Sequence, residues 1–374
     1  MAFIHISGVF GGVQSDPTFA TIALERLPAA TPQKSADAFQ FLRADKNGRL
    51  YLLHGDALQV DDLQPVGKLV AGSKPAVSQA LDSLGPIMDA SLSPDGRAWL
   101  LASLPDRIAL LNSDGLRDLP PPYWAASSLA YGIDGPVVAV IPVRVGGENA
   151  SAPPTSAAWN SPPLLLRLRD QNWLTLIAGE PFTRRDARPL RLQEMKAERD
   201  TRLAVDTKGT LWVAQQDAYH LKHYSRTGVL QESLAVAGGR VQWRDRTADD
   251  WKRLEDAAQA AGTKLNRSHL AKVQAARVVR ALTTRDDQVY LVIETSAGLA
   301  LDRWDARRRA LERLLLPAIP LGPGPPSVAA GRYGLYLAGA HLGDPIWHVD
   351  WVKLDAGPWK PVPEAAFQEG RLAG

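Results

Sequence analysis

Residues 204–214 read AVDTKGTLWVA: a short apolar run, the tight turn Asp206-Thr207-Lys208-Gly209, and a second run carrying Trp212. An Asp that bonds the backbone ahead of it, followed by a Gly that takes positive φ, is the chemistry of a hairpin turn. Whether this hairpin occurs once or recurs decides the fold. Aligned on the aromatic, it recurs. RADKNGRLYLL carries Gly48 and Tyr51, SLSPDGRAWLL carries Gly96 and Trp99, and AYGIDGPVVAV carries Gly135 with Val138 in the aromatic slot. After the opening copy come TTRDDQVYLVI, with Asp287 at the glycine position and Tyr290, and AAGRYGLYLAG, where Tyr336 aligns and Gly334 falls one place late.

Each copy is followed by a more polar hairpin: ALQVDDLQPVGKLV, ALLNSDGLRDLP, LLLRLRDQNWLTLI, LKHYSRTGVLQESL, LDRWDARRRALERL and WVKLDAGPWKPV. The unit is therefore four strands, with an apolar inner hairpin covered on both faces and an amphipathic outer one. The slots fall at 51, 99, 138, 212, 290 and 336, intervals of 48, 39, 74, 78 and 46. Three of these suit a four-stranded propeller blade, whose period is about 40–50 residues. The two long intervals hold insertions. One contains the Ser/Pro/Ala-rich segment Gly146–Pro163 and the charged stretch Thr183–Asp200. The other runs from Thr247 to Arg280, where TADDWKRLEDAAQAAG, with a Thr cap, early acids and Gly262 as a stop, predicts a helix, and NRSHLAKVQAARVV predicts a second.

The expectation is an all-β, six-bladed β-propeller of four-stranded antiparallel blades. A single domain spans residues 1–374, with a helical insertion at about 245–280 between blades four and five. ALERLP (23–28) copies ALERLLLP (310–317), the outermost strand of the fifth unit, so a strand at about 20–28 is expected to help close the ring; GPWKPVP near the C-terminus competes for that slot.

Composition narrows the function. The 374 residues are 45% hydrophobic and 22% charged, which supports a large core. Net charge is +3 with the bases interspersed among 40 acids, so nucleic acid is disfavoured as a partner; the densest cluster, Asp305–Arg313, holds its own acids. The absence of cysteine excludes disulfides, thiolate catalysis and Cys-ligated metals. No apolar run reaches the ~20 residues of a membrane span. The N-terminal stretch lacks a basic n-region. The chain is therefore expected to be soluble, and cytoplasmic unless an export signal has been removed, in which case periplasmic or secreted.

RLAVDTKGTLWVA resembles the inner hairpin of NHL-type repeats, and the chain as a whole resembles bacterial six-bladed propeller proteins related to them, some of which also carry a helical insertion between late blades. The resemblance implies architecture across nearly the whole chain. Related propellers include protein- and RNA-binding modules, gluconolactonase-like calcium enzymes and strictosidine-synthase-like enzymes, so it implies no single activity.

A lactonase-like reading implies a metal at the channel mouth, held just before innermost strands. The matching stretches offer Asp37, Asp89 and Asp200, but Arg202 and Arg280 fill two of the slots, and calcium needs six to eight oxygens. His220 and His223, three apart on a strand, point to opposite faces and cannot share a metal. His54 and His341 follow inner hairpins and are candidates for a channel-mouth site. No G-x-S-x-G elbow, Walker loop or strand-linked G-x-G-x-x-G is present. Tyr123 and Trp124 in LPPPYWAA, Trp159, Trp243 and Trp251 stand outside the repeats. Exposed aromatics beside arginine are recognition residues, whereas the helical spacing of Trp251 with Leu254 and Ala258 predicts packing. The sequence thus reads as a non-catalytic scaffold without a cofactor, binding a protein partner or small ligand at the channel face through Tyr123, Trp124, His54, His341, Arg202 and Arg280. The alternative is a calcium-dependent lactonase-like hydrolase.

Overall fold

The computed structural model describes residues 19–27, 40–44, 50–54, 59–63, 69–70, 87–93, 98–102, 108–112, 115–119, 124–132, 134–144, 163–178, 201–215, 219–236, 243–245, 248, 251–252, 255, 272–274, 279–295, 298–318, 326–339, 345–362 and 365–369. These are mostly strands, and they form several four-stranded antiparallel sheets. Sheet I contains Gln40–Ala44, Leu50–His54, Gln59–Leu63 and Leu69–Val70. Sheet II contains Ile87–Leu92, Ala98–Ala102, Ile108–Asn112 and Gly115–Leu119. Sheet III contains Trp124–Gly132, Gly135–Arg144, Pro163–Arg169 and Asn172–Ala178.

In sheet IV, Thr201–Val205, Leu211–Gln215, His220–Tyr224 and Leu230–Val236 are joined at the outer edge by Ala365–Glu369. Sheet V is built the same way from Val279–Arg285, Gln288–Thr295, Gly298–Asp305 and Ala310–Leu315, with Lys360–Pro361 at its edge. Sheet VI takes Ser327–Ala330, Gly334–Ala338 and Ile346–Asp350, and its fourth strand is Glu25–Leu27. The opening strands of the sheets lie against one another in chain order from I to VI, and the opening strand of VI lies against that of I.

The opening quotation folds as its turn chemistry predicts. Asp206 Oδ1 accepts from the Lys208 and Thr210 amides at 2.9 and 2.8 Å, and Gly209 sits at φ 81°. The strand that follows, Leu211–Gln215, is buried at its first four positions. The continuous apolar run is explained by cover on both faces. On one side Val137, Ala139 and Leu165 of sheet III meet Leu203, Leu211 and Val213 of sheet IV. On the other, Trp212, Leu221 and Leu234 of sheet IV meet Val289, Leu291 and Trp304 of sheet V. The same apolar contact recurs between II and III, V and VI, and VI and I. Burying each such aliphatic side chain contributes about 1.5–3 kcal/mol.

Three expectations need correction. WVKLDAGPWKPV is not a hairpin: Trp351–Asp355 is a helix, α1, because the Asp350 side chain accepts from the Lys353 amide at 2.8 Å and caps it. Trp359 Nε1 then donates to the Leu354 carbonyl at 2.7 Å, turning the chain so that Lys360–Pro361 pairs with sheet V. Secondly, NRSHLAKVQAARVV is not one helix, since Lys272–Gln274 is a strand paired with Trp243–Asp245 and Val279 opens sheet V. In the first insertion segment the described residues Ala248, Trp251, Lys252 and Glu255 are helical. Thirdly, His54 ends a strand, opposite Gln40 and Gln59, and does not stand in a loop.

Candidate functional site

A cavity of about 660 Å³ lies where the opening strands of sheets I to VI converge, and described residues from each of them line it. An opening strand has one edge with no strand beside it, so its backbone N–H and C=O groups need other partners. Short polar side chains of the adjacent sheet supply them. The Leu42 amide of sheet I donates to Ser327 Oγ of sheet VI at 2.9 Å. The Tyr131 amide of sheet III donates to Ser91 Oγ of sheet II at 2.9 Å. Thr284 Oγ1 of sheet V donates to the Val205 carbonyl of sheet IV at 3.2 Å, and the Ala330 amide of sheet VI donates to Thr283 Oγ1 at 3.3 Å.

Asp89 is the most heavily used of these groups. It is 6% exposed. Its Oδ2 accepts from Ser128 Oγ and from the Leu129 amide, both at 2.8 Å. Its Oδ1 accepts from the Ala90 amide at 2.8 Å and pairs with the Arg43 guanidinium. Arg43 also donates to the carbonyls of Ala90 and Leu42. One carboxylate thus joins sheets I, II and III. Of the sequence-derived metal candidates, Asp89 spends its oxygens on protein donors, and Asp37 and Asp200 lie outside the described residues. Among the described residues there is no cluster of three or more His, Asp or Glu side chains arranged for a metal.

The binding candidates separate. Arg202 lines the cavity. It stands two residues before Ala204, the partner of Trp212, as Asp89 stands two before Ser91, the partner of Trp99, and Ser327 two before Ala329, the partner of Tyr336. Arg202, Asp89 and Ser327 therefore share one tier. Arg280 does not join them: it is 7% exposed at a bulge and reaches Glu294 at 3.5 Å. Trp124 opens the first strand of sheet III, opposite Arg144. Tyr123 and His341 lie outside the described residues, as do the side chains of Trp124 and His54.

Two charged arrangements escaped the sequence reading. In sheets IV, V and VI the aromatic slot is followed on the next strand by a His or Arg and on the fourth by a glutamate. Trp212 stacks on His223 with centroids 3.9 Å apart, and His223 Nδ1 lies 3.2 Å from Glu232. Tyr290 stands opposite Arg303, whose Nε reaches Glu312 at 3.1 Å; burial pushes the Tyr290 phenol up to about 12. Tyr336 packs on His348 at 4.4 Å, and His348 faces Glu25 at 3.9 Å. The signal was present as strand-register triplets across LWV/HLKHY/LQESL. The second arrangement is fully interior. Asp302, 0% exposed, takes a two-pronged pair from Arg313 at 2.7 and 2.9 Å and accepts from the Tyr219 hydroxyl; burial raises both Asp302 and Tyr219. Arginines of the run 305–313 are thus paired partly outside it, with Arg313 on Asp302, Arg307 on Asp287 and Arg308 near Asp305 and Glu312.

No protein-family model and no characterised protein sequence matches the chain. Solved structures do, among them the following β-propeller proteins. Virginiamycin B lyase from Staphylococcus aureus shares 11% identity over 88% of this chain and 99% of its own, with a TM-score of 0.45. YCF48 from Cyanidioschyzon merolae shares 10% over 88% and 99%, at 0.41. The PQQ-bound aldose sugar dehydrogenase from Streptomyces coelicolor shares 15% over 88% and 98%, at 0.44. A lyase, a dehydrogenase and a protein also solved with a D1 peptide stand at the same low similarity, which does not discriminate among their activities. No helix among the described residues is long and apolar enough to cross a membrane.

Proposed function

We propose that this chain is an NHL-like, six-bladed propeller that acts as a non-catalytic scaffold, holding a protein or smaller ligand at one face of the ring. The observation that carries this reading is the use of the polar groups at the centre. Asp89, Ser91, Thr283, Thr284 and Ser327 are spent on joining neighbouring sheets. Such groups hold a frame rigid and offer no nucleophile–base pair to a substrate. Tyr123 and Trp124, adjacent in sequence, with Trp124 opening the first strand of sheet III, are the proposed hot-spot pair, with His54, His341 and Arg202 as further candidates.

The test is affinity capture with the purified chain, followed by titration of the recovered partner in purified form. The double substitution Tyr123→Ala with Trp124→Ala should weaken binding by at least about tenfold, and undiminished affinity would move the interface elsewhere. Metal analysis of the same preparation addresses the hydrolase alternative: a stoichiometric calcium ion would replace the scaffold reading with the lactonase-like one.

A further inference from the structure

We infer that the C-terminal strand Ala365–Glu369 is exchangeable, and that two copies of this chain pair by each placing it on the outer edge of the other's sheet IV, independently of what the channel face binds. The strand is added to a sheet that already has four. Among the described residues sheets I, II, III and VI stop at four strands, whereas IV and V each gain a fifth, and both fifth strands come from one C-terminal segment. That segment leaves α1, lays Lys360–Pro361 against Arg313 and Glu312 of sheet V, and then lays Ala365–Glu369 along Leu230–Val236 of sheet IV.

The half of the segment on sheet V is anchored. The Trp359 ring lies under the Arg303 guanidinium at 4.2 Å, and the Val362 amide donates to the Leu311 carbonyl at 2.9 Å. The Val362 side chain is buried in the core that sheets IV and V share. Past that anchor a five-pair antiparallel ladder joins the segment to sheet IV, from Val236 with Ala365 to Glu232 with Glu369, and Ala365 packs on the same core. A second copy carries the same strand and the same edge, so each pair of this ladder can form between copies as it forms within one. Exchange of an identical element therefore gives up no contact of the ladder, which makes it a low-cost route to a dimer.

The connection between anchor and strand decides which partner is met. Pro363 and Glu364 form it in the sequence and lie outside the described residues. In the closed form the Ala365 amide donates to the Val362 carbonyl at 3.2 Å, so the chain reverses within four residues. Opening that reversal breaks one hydrogen bond, and a residue before proline, as Val362 is, already favours extended backbone. A connection this short has two outcomes: it turns back onto its own sheet IV, or it projects away and cannot reach it. In the second outcome Leu230–Val236 is left with a row of unpaired N–H and C=O groups beside the buried Leu234 and Val236. The projecting strand of a second copy satisfies that edge in register.

The chain has no cysteine, so introduced thiols report on this ladder alone. Ser233 and Gln368 stand opposite each other in it. Ser233→Cys and Gln368→Cys, each in the full chain, are purified separately, mixed at about 1 mM, the effective concentration of a short tether, then oxidised and separated without reductant. A disulfide-linked dimer containing one chain of each variant is expected, at several-fold the yield of dimers from either variant alone. Both substitutions in one dilute chain should give an internal disulfide, which reports the closed form and shows that the substituted chain folds. Inserting Gly-Ser-Gly-Ser between Pro363 and Glu364 should lower the mixed dimer several-fold, because a longer connection closes on its own copy from any direction. Should Ser233→Cys fail to fold, the opposed pair Ala235→Cys and Ala366→Cys takes its place, and sedimentation of the unsubstituted chain should show a dimer fraction that rises with concentration. No mixed dimer, a mixed yield equal to that of like with like, or an unsubstituted chain that stays monomeric up to about 1 mM would overturn the inference. A dimer that sediments but never cross-links through the opposed pair would overturn it too, since its interface would lie elsewhere.

Discussion

Replacing Asp89 by Asn separates its role as a joint between sheets from any role as a metal ligand. The change keeps the shape and removes the charge. One amide position then presents N–H groups to donors that Asp89 had satisfied. If the amide nitrogen replaces Oδ2, the Leu129 amide and the Ser128 hydroxyl lose their acceptor, although the hydroxyl can turn elsewhere. An orphaned buried amide costs about 1–3 kcal/mol. Loss of charge assistance to Arg43, whose side chain is 23% exposed, adds about 1 kcal/mol after allowance for solvent screening. The sum is about 2–4 kcal/mol. With an unfolding entropy of about 2.1 cal/mol/K per residue over 374 residues, this corresponds to a fall in Tm of roughly 3–5 °C. The assay is thermal unfolding in metal-free buffer with and without a chelator. A Tm within about 1 °C of wild type, or a difference between the two proteins that appears only when metal is present, would refute the reasoning.

Two further outcomes are expected. Gly334→Ala should destabilise sheet VI severely, because the added Cβ would overlap the Val349 carbonyl and the His348 ring; a variant with wild-type protease resistance in residues 327–350 would contradict this. Burial holds His348 below its usual 6.5, against the pull of Glu25, Asp350 and the Tyr333 backbone and with the repulsion of Lys353. The unfolded chain therefore takes up the proton first, so stability present above pH 6.5 is lost as pH falls below it. His348→Gln should flatten the Tm–pH slope just below 6.5, and an unchanged slope would assign it to other groups.

The sequence made visible what is local. Asp206 and Gly209 announce their turn because both partners lie within four residues. The late glycine of the sixth copy also has its reason: Gly334 opens a strand pressed against the Ile346–Asp350 strand, where no side chain fits. What stayed hidden is non-local. Asp89 looked like a ligand because a lone carboxylate at a strand end does not say that Arg43 and Ser128, dozens of residues away, will take it. Arg280 looked equivalent to Arg202 by slot, but a bulge between Val279 and Ala281 separates their surroundings. At the C-terminus the Asp-Ala-Gly turn signal lost to a nearer one. Asp350 ahead of Trp351 and Leu354 is a cap followed by a helical apolar pair, and that spacing could have been read.

Sheet VI receives its last strand from Glu25–Leu27, which pairs with Ile346–Asp350 more than three hundred positions later. On a ribosome, the early segment must wait for the more than three hundred intervening residues to emerge before it finds its partner, and the edge of Ile346–Asp350 meets it only then. Contacts of such long sequence separation close slowly. Assembly of this molecule should therefore include a late fastening event at sheet VI, and anything that delays it leaves an adhesive strand edge open to other chains.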